Sequence, residues 1–392
     1  RRQAPRNPKQ GAGKASDEHH KRQAFKLVTS HVKLLIGSDD LPENLARLVR
    51  LQADDTCDKK YDAGTDLFAI SEREKSVTKR DEQQKTLQKL LKACMVAASV
   101  PILQEEAEAF LQNVYRHFMI IELGTALGQE KHKKRPFDSK DGDGPVYVET
   151  GVLADVISDS LASDHGLVRE VAERAMRSCK SIATTIFGSE EKAEQLPFFS
   201  RLAETFVHAC YEEEWFVKSG GTAGISIIIS KMDFSDAFLI DRQLDFVRAL
   251  LYVIKDMPQD LPASIRIQAK ETLITHIKRC AKNYKADQLG DKESKIQILC
   301  NRVIGEVSHM NKHVRHAAQE ALRTIAESVN VQLHEVVKPV KDLLLAPIFN
   351  KPLRALPFAA QIGYIDAINF CLDMENDVLT FDDPLNRLLY ET

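Results

Sequence analysis

Residues 314–322 read VRHAAQEAL, and this order of residue types decides the fold because it returns at near-constant spacing. The segments 168–176 (VREVAERAM) and 265–273 (IRIQAKETL) carry the same types at the same positions. A weaker copy, VKSGGTAGI, lies at 217–225, so that successive copies begin 48 or 49 residues apart. A fixed period of roughly 20–50 residues is typical of a stacked repeat array. The repetition therefore predicts a scaffold rather than a closed globular domain.

Each copy has the spacing of one buried helical face. Val314, Ala318 and Leu322 follow one another at four-residue intervals, as on the apolar side of an α-helix. The small residue lets a neighbouring helix approach closely, and the last apolar residue fills the shared core. Arg315 is expected near the helix start, where it can pair with acidic residues of an adjacent unit. These features resemble the HEAT repeat, although the period slightly exceeds its usual range of about 40–47 residues. We therefore predict an all-α HEAT-repeat α-solenoid of stacked antiparallel helix pairs.

Three regions are predicted along the chain. Residues 1–22 carry seven Lys/Arg and few large apolar side chains, a composition typical of a basic, disordered leader. Residues 23–147 are predicted to be a helical region with polar loops at 52–81 and 128–147. Residues 148–392 are predicted to form the HEAT-type repeats, as five helix pairs.

Prolines and capping residues place the predicted helix ends. Pro101 should separate a helix at 82–99 from one at 102–127, because proline cannot continue a helix interior. Helix starts are predicted beside three capping residues, Asp164, Asn311 and Asp260, the last followed by Pro262 in the first turn. The last helix pair is expected to be irregular around three further prolines, Pro347, Pro352 and Pro357.

Composition excludes several classes of protein. The chain has 392 residues, 43% of them hydrophobic, which argues against global disorder, and its net charge of −3 does not indicate nucleic acid as a partner. Its seven cysteines are scattered singly, without the CxxC pairs of zinc or redox sites. Cys179, Cys210 and Cys280 lie in apolar helical patterns and are predicted to fill a reduced, intracellular core. No run of about 18 apolar residues predicts a membrane span. Because the chain begins with Arg1, we expect it to be part of something longer.

Three glycine-containing segments resemble ligand sites, and for each an interpretation without a ligand is favoured, which for the first segment is a disordered tail. Residues 11–16 (GAGKAS) lack the first glycine and the hydroxyl residue of a phosphate-binding loop. Residues 219–224 (SGGTAG) could cradle an anion, but Gly221 falls at the small-residue position of the repeat, which favours close helix packing. Residues 141–144 (DGDG) lack the further acids of a calcium loop, which favours a solvated turn.

Histidines and charged runs give equally weak indications of chemistry. His309, His313 and His316 have metal-ligand spacing, but Asn311 predicts a helix start between them. The acids at 212–214 (EEE) suit a helix start, where the helix dipole favours negative charge.

Trp215, the single tryptophan, is predicted to be a core residue, with an exposed anchor as the alternative. The basic run at 131–135 (KHKKR) is either a nuclear-localisation or phosphate-contacting segment or a solvated loop. The sequence thus predicts no catalytic, cofactor-binding or metal-ligating residue, and it leaves the partner-binding residues unassigned.

Residues 209–221, ACYEEEWFVKSGG, resemble a segment of the TRRAP family with the approximate pattern CCYE-x2-W[YF]-x-K-x-GG; Ala209 departs from it. Similar stretches follow at 246–256, at 314–326 and at 359–363, so that the resemblance covers about 190–371. The members of this family are giant HEAT-rich pseudokinase scaffolds of histone acetyltransferase complexes. The resemblance implies a nuclear, non-catalytic scaffold without cofactor or small-molecule substrate. Its expected partners are transcription activators and the subunits of SAGA-type and NuA4-type complexes.

Two other functions stay open on the sequence. A HEAT-type nuclear transport receptor would share the repeat, although the tryptophan segment argues against it. The chain could also be the helical-repeat region of an active phosphatidylinositol-3-kinase-related kinase, which only the sequence of its kinase-like region would separate from the scaffold.

Overall fold

All regular secondary structure in the described part of the chain is helical, which confirms the all-α fold class. The computed structural model describes residues 9–37, 67–132, 150–258, 263–349, 352–374 and 378. The chain forms two compact units, Arg1–Thr205 and Phe206–Thr392. The predicted boundary at residue 147/148 lies outside the described residues and stays a prediction.

The first unit packs long helices on shorter ones. Its helices are α1 (Lys9–Ile36), α2 (Leu67–Ala98), α3 (Gln104–His132), α4 (Gly151–Leu161), α5 (Gly166–Phe187) and α6 (Glu190–Glu194), while α7 (Pro197–Ala209) crosses the unit boundary. Helix α2 packs on α1, α3, α4 and α5, and α5 also packs on α3 and α4. The predicted break at Pro101 is confirmed, since α2 ends before it and α3 begins after it.

Polar segments of the first unit are more helical than predicted. The disordered-leader prediction for 1–22 is wrong from Lys9 onward, where α1 begins, and the loop prediction for 52–81 is wrong from Leu67 onward, where α2 begins. The predicted loop at 128–147 starts too early, because α3 continues to His132. Residues 1–8, 52–66 and 133–147 lie outside the described residues. Lys, Glu, Gln and Arg are good helix formers, so a polar composition does not by itself exclude a helix.

The second unit stacks helix pairs. Its helices are α8 (Trp215–Lys231), α9 (Asp236–Asp241), α10 (Gln243–Asp256), α11 (Ala263–Ala281), α12 (Lys295–Ile304), α13 (Lys312–Val329), α14 (Leu333–Val337), α15 (Lys341–Phe349) and α16 (Phe358–Leu372). Helix α10 packs on α11 and α12 packs on α13, while α8, α11, α13 and α16 pack each on the next. In the described residues after 150, the longer helices follow one another as α4, α5, α7, α8, α10, α11, α12, α13, α15 and α16, and the count of five helix pairs stays a prediction. As expected for the last pair, α15 contains Pro347, and a short 3-10 helix, Leu353–Ala355, separates it from α16.

The repeat starts at the same place in each helix. Val168, Val217, Ile265 and Val314 are each the third residue of their helix, in α5, α8, α11 and α13. The small residue one turn later is buried in every copy, as is the apolar residue after it: Ala172 and Met176, Gly221 and Ile225, Ala269 and Leu273, Ala318 and Leu322. Burying one such large side chain contributes about 1.5–3 kcal/mol. The motif therefore marks the inward face of one helix in each repeat.

The basic residue of the motif forms the predicted ion pair in two copies. The Arg315 guanidinium lies 2.5 Å from the Asp366 carboxylate of α16. It also donates to the His309 and Met310 carbonyl oxygens, at 2.9 and 3.0 Å. In the weak copy, Lys218 pairs with Asp256 at the end of α10. Arg169 differs, since it is exposed and donates to a carbonyl oxygen of the preceding turn.

Of the predicted helix caps, one is confirmed, one is wrong and one lies outside the described residues. Asn311 is the N-cap of α13 and accepts a hydrogen bond from the His313 backbone N–H at 2.9 Å, as predicted. Asp164 is not a cap: α5 begins at Gly166 with His165 in the N-cap position and no side-chain cap bond. Asp260 and Pro262 lie outside the described residues.

The described cysteines are buried thiols: Cys94, Cys179, Cys210, Cys280, Cys300 and Cys371. Burial raises the pKa of most of them to about 12, and it raises that of Cys179 further. The prediction that Cys179, Cys210 and Cys280 fill the core is confirmed.

Candidate protein-interaction surface

The aromatic residues of the 209–221 segment lie at the surface. Trp215 is 42% exposed, with Phe216 at 40% and Tyr211 at 41%, so the core prediction for Trp215 is wrong. The exposed position of the alternative is confirmed, and the anchor role stays a prediction. The reason is local: α8 begins at Trp215, and no earlier turn of the same helix covers its ring. Its indole and the Phe216 ring meet edge to face, with centroids 6.0 Å apart. Exposed clusters of large aromatic residues are a mark of protein-interaction surfaces.

The acids before this tryptophan lie at the helix start, as predicted. Glu214 is the N-cap residue of α8 in an extended conformation and makes no side-chain cap bond. Glu212 and Glu213 precede it in an exposed turn. Carboxylates here interact favourably with the positive end of the helix dipole. They extend the exposed aromatic pair with negative charge.

The glycine-rich segment is a packing device, as the repeat predicts. A Cβ atom on Gly221 would lie 2.7 Å from the Phe206 carbonyl oxygen and 3.0 Å from the Cys210 backbone nitrogen. On Gly224 it would lie 2.4 Å from the Phe206 ring. These glycines let α8 approach the end of α7 closely, and no room remains there for an anion.

A cleft of about 360 Å³ opens beside the same segment. One side is a single face of α10, where Arg248, Leu251, Tyr252 and Lys255 recur at three- and four-residue intervals. The other walls are supplied by Tyr211, from the turn before α8, and by Arg302 and Glu306, from the end of α12 and the turn after it. Three separate segments of the second unit thus meet at one place.

The two tyrosines of the cleft are held in position. Their ring centroids lie 4.9 Å apart, with the planes inclined by 54°. The Lys218 ammonium lies 5.6 Å from the centroid of Tyr252 while it pairs with Asp256. The repeat motif thereby supports the wall of the cleft directly.

Positive charge dominates the lining. Arg302 contacts Glu306 at 2.8 Å, whereas Arg248 and Asp245 approach each other only to 3.9 Å across an exposed face. Burial raises the pKa of the Tyr211 hydroxyl, and the charges of Arg248 and Arg302 oppose this rise. Both guanidinium groups therefore favour the ionised form of that hydroxyl.

The remaining candidate motifs form no site within the residues that the structure describes. Asn311 separates His309 from α13, and the Nδ1 atom of His309 accepts the Asn311 backbone N–H at 2.9 Å. In the described ranges, no group of three His, Cys, Asp or Glu residues is placed to hold a metal ion. Residues 11–16 lie within α1, and residues 141–144 fall outside the described chain, as does most of the basic run at 131–135. Among the helices that can be described, none has the length and apolar character needed to span a bilayer.

Sequence reasoning missed the residues of the cleft. The spacing of Arg248, Tyr252 and Lys255 does predict that they share a helical face. Nothing in the sequence brings Tyr211 and Arg302 opposite that face, since they lie 37 residues before and 54 residues after Arg248.

Comparison with known proteins identifies the fold's relatives. Residues 7–392 match the family described as the Tra1 HEAT repeat ring region. The SAGA complex/NuA4 acetyltransferase complex subunit TRA1 of Saccharomyces cerevisiae is 31% identical over 386 residues, which are 96% of this chain and 10% of the relative. The Schizosaccharomyces pombe subunit Tra1 of the same two complexes is 27% identical over 96% of the chain and 10% of its own length. The human transformation/transcription domain-associated protein is 24% identical over 94% of the chain and 10% of its own length.

The chain spans about a tenth of the length of these relatives. The resemblance predicted from residues 209–221 is confirmed, and the family match extends it to residues before 140. The stacked helix pairs and the match from residue 7 to residue 392 show that the chain belongs to the Tra1 HEAT repeat ring family.

Proposed function

We propose that this chain is a non-catalytic scaffold segment of a nuclear transcription coactivator, which acts within a histone acetyltransferase complex. The observation that carries the proposal is the ring-region match over residues 7–392, together with relatives named as subunits of the SAGA and NuA4 acetyltransferase complexes. The partners are other subunits of the complex and transcription activators.

The arrangement of the second unit supports this role. The repeat residues point inward, which leaves the turns and the outer helix faces available as surface. Stacked repeats expose long surfaces of this kind, on which several partners can bind. The exposed Trp215 and Phe216 and the basic cleft lie on turns and outer helix faces of this unit.

The test uses the full-length protein that contains this segment. An affinity tag on the chromosomal copy should co-purify other subunits and histone acetyltransferase activity from nuclear extract. Crosslinking mass spectrometry of that material should join residues of this segment to other chains. A protein that elutes alone, without acetyltransferase activity, would contradict the complex, and crosslinks that avoid this segment would contradict its scaffold role.

The non-catalytic part of the proposal has its own measurement. The purified chain should neither hydrolyse ATP nor transfer its γ-phosphate to a protein substrate. Turnover that persists after further purification and is altered by point substitutions in the chain would overturn the proposal.

A further inference from the structure

The basic cleft contains more positive than negative charge. Three cations line it, Arg248, Lys255 and Arg302, against one carboxylate, that of Glu306. Arg302 holds Glu306, whereas the contact of Arg248 with Asp245 is long and exposed. A surface ion pair of this kind contributes about 0–1 kcal/mol and is readily exchanged for a stronger anion.

The cations are grouped around hydrogen-bonding hydroxyls. Tyr211 and Tyr252 are neighbours in the wall of the cleft, and each phenol can donate a hydrogen bond. Arginine offers a planar fork of N–H donors that fits phosphate bidentately, which lysine does not. Two arginines from different helical segments, a lysine and two phenols are the donor set that a doubly charged tetrahedral anion requires.

The dimensions argue for one side chain rather than a helix or a nucleic-acid strand. A volume of about 360 Å³ suits a side chain with its anionic group, whereas a helix has a diameter of roughly 10–12 Å. Single strands bind along grooves where bases stack on open aromatic faces. Here the ring of Tyr252 is flanked by Tyr211 and by the Lys218 ammonium, so it offers no open platform.

We propose that the cleft between α10 and the segment around Arg302 binds a phosphoserine or phosphothreonine residue in an extended segment of a partner protein. Arg248 and Arg302 would hold the phosphoryl oxygens, Lys255 would add charge, and the tyrosine hydroxyls would donate to the remaining oxygens. A phosphoryl group carries a charge of about −1.5 to −2 at neutral pH, more than the single carboxylate of Glu306 that it would displace. This inference rests on the proposed function only in taking the ligand from a protein.

The experiment presents the purified full chain with two immobilised peptide libraries of random sequence. One library has a central phosphoserine or phosphothreonine, and the other has the unphosphorylated residue. The affinities of the best sequences are then measured by fluorescence anisotropy, beside a single-stranded DNA 20-mer of the same label. We expect the phosphorylated form to bind at least about ten-fold more tightly, because the unphosphorylated peptide lacks the charged oxygens that would accept hydrogen bonds from the arginines.

Charge-conserving variants separate phosphate recognition from general attraction. Arg248→Lys and Arg302→Lys should each weaken phosphopeptide binding about ten-fold, because they keep the charge and lose the donor fork. Arg354→Lys, at an exposed arginine of the same unit outside the cleft, should leave binding unchanged. Circular dichroism checks that every variant is folded.

Three results would overturn the inference: equal binding of the two libraries, equal binding of the DNA strand, or wild-type affinity in both cleft variants. The peptide measurements and the co-purification test have separate readouts, so failure of the cleft and failure of the proposed function are distinguishable. A chain that binds phosphopeptide but purifies without acetyltransferase activity would refute the proposed function alone, and the opposite pair of results would refute the cleft alone.

Discussion

Replacing Arg315 by methionine should destabilise the second unit, although the same change at Arg169 should have little effect. Both arginines stand beside the first apolar residue of a repeat, and the sequence does not distinguish them. Arg315 is 3% exposed and holds two carbonyl oxygens as well as Asp366, whereas Arg169 is exposed and holds one carbonyl oxygen. Arg315→Met leaves the two carbonyl oxygens without these donors.

The magnitude follows from these contacts. Each hydrogen bond from a charged donor contributes about 1.5–3 kcal/mol. The pair with Asp366 adds less than about 1 kcal/mol, because that carboxylate is partly exposed. Removing the guanidinium also removes a buried Nε atom that has no hydrogen-bond partner in the described residues, which offsets part of the loss. We expect a net loss of about 2–4 kcal/mol for Arg315→Met and below about 1 kcal/mol for Arg169→Met.

Hydrogen exchange read by mass spectrometry across a urea series gives these numbers separately for each unit. Peptides from α13 report the loss for Arg315→Met, and peptides from α5 report it for Arg169→Met. Methionine keeps the unbranched apolar stem of the side chain and removes the guanidinium group, so the comparison mainly tests the donors. If the two substitutions lowered the opening free energies equally, burial and the carbonyl contacts would not explain the role of Arg315.

Three further changes test the packing and the buried charges. Gly221→Ala should lower the stability of the second unit by about 1–2 kcal/mol because its Cβ meets backbone atoms. Gly305→Ala should be neutral or stabilising in the same urea titration, because its backbone is helical and its Cβ would lie at an ordinary contact distance of 3.8 Å from the Arg302 carbonyl oxygen. Burial lowers the pKa of His276 from 6.5 to about 4, so the unfolded state binds more protons than the folded state between these two pH values. The free energy of unfolding should therefore fall by about 2 kcal/mol from pH 7 to pH 5. An opening free energy of α11 that does not change with pH would contradict this. Lys180 and Glu194 form a buried ion pair at 2.8 Å. Lys180→Met should lower the free energy of unfolding by about 3–5 kcal/mol, measured by thermal or urea unfolding, and the double variant Lys180→Met with Glu194→Leu should regain most of that stability. A double variant as unstable as Lys180→Met would show that an unpaired buried Glu194 carboxylate is not the cause.

The repeat could be predicted because its cause is local. The third-residue position of Val168 and Val314, and the small residue one turn later, follow from helix periodicity and close packing. Asn311 was equally predictable, since its cap bond joins atoms two residues apart. Contacts within one helical turn join residues that are close in sequence, so local sequence patterns predict them well.

Other features depend on distant contacts or on a composition that allows two structures. The core prediction for Trp215 failed because hydrophobicity does not tell whether a neighbouring turn covers a ring. Helix α2 extends to Leu67 through polar residues, which suit an exposed helix as well as a loop. The cleft required Tyr211, Arg248 and Arg302 to meet, and only the stacking of helices within the second unit brings them together.

The buried thiols can report how fast different parts of the core open. Only a thiolate reacts with alkylating reagents, and burial both hides these sulfurs and keeps them protonated. Cys94 and Cys179 lie in the first unit, and Cys280 and Cys371 lie in the second. At a reagent concentration where alkylation is faster than reclosing, each thiol is modified at the rate at which its own surroundings open. A single alkylation time course, resolved by peptide, therefore gives a separate opening rate for the surroundings of each cysteine.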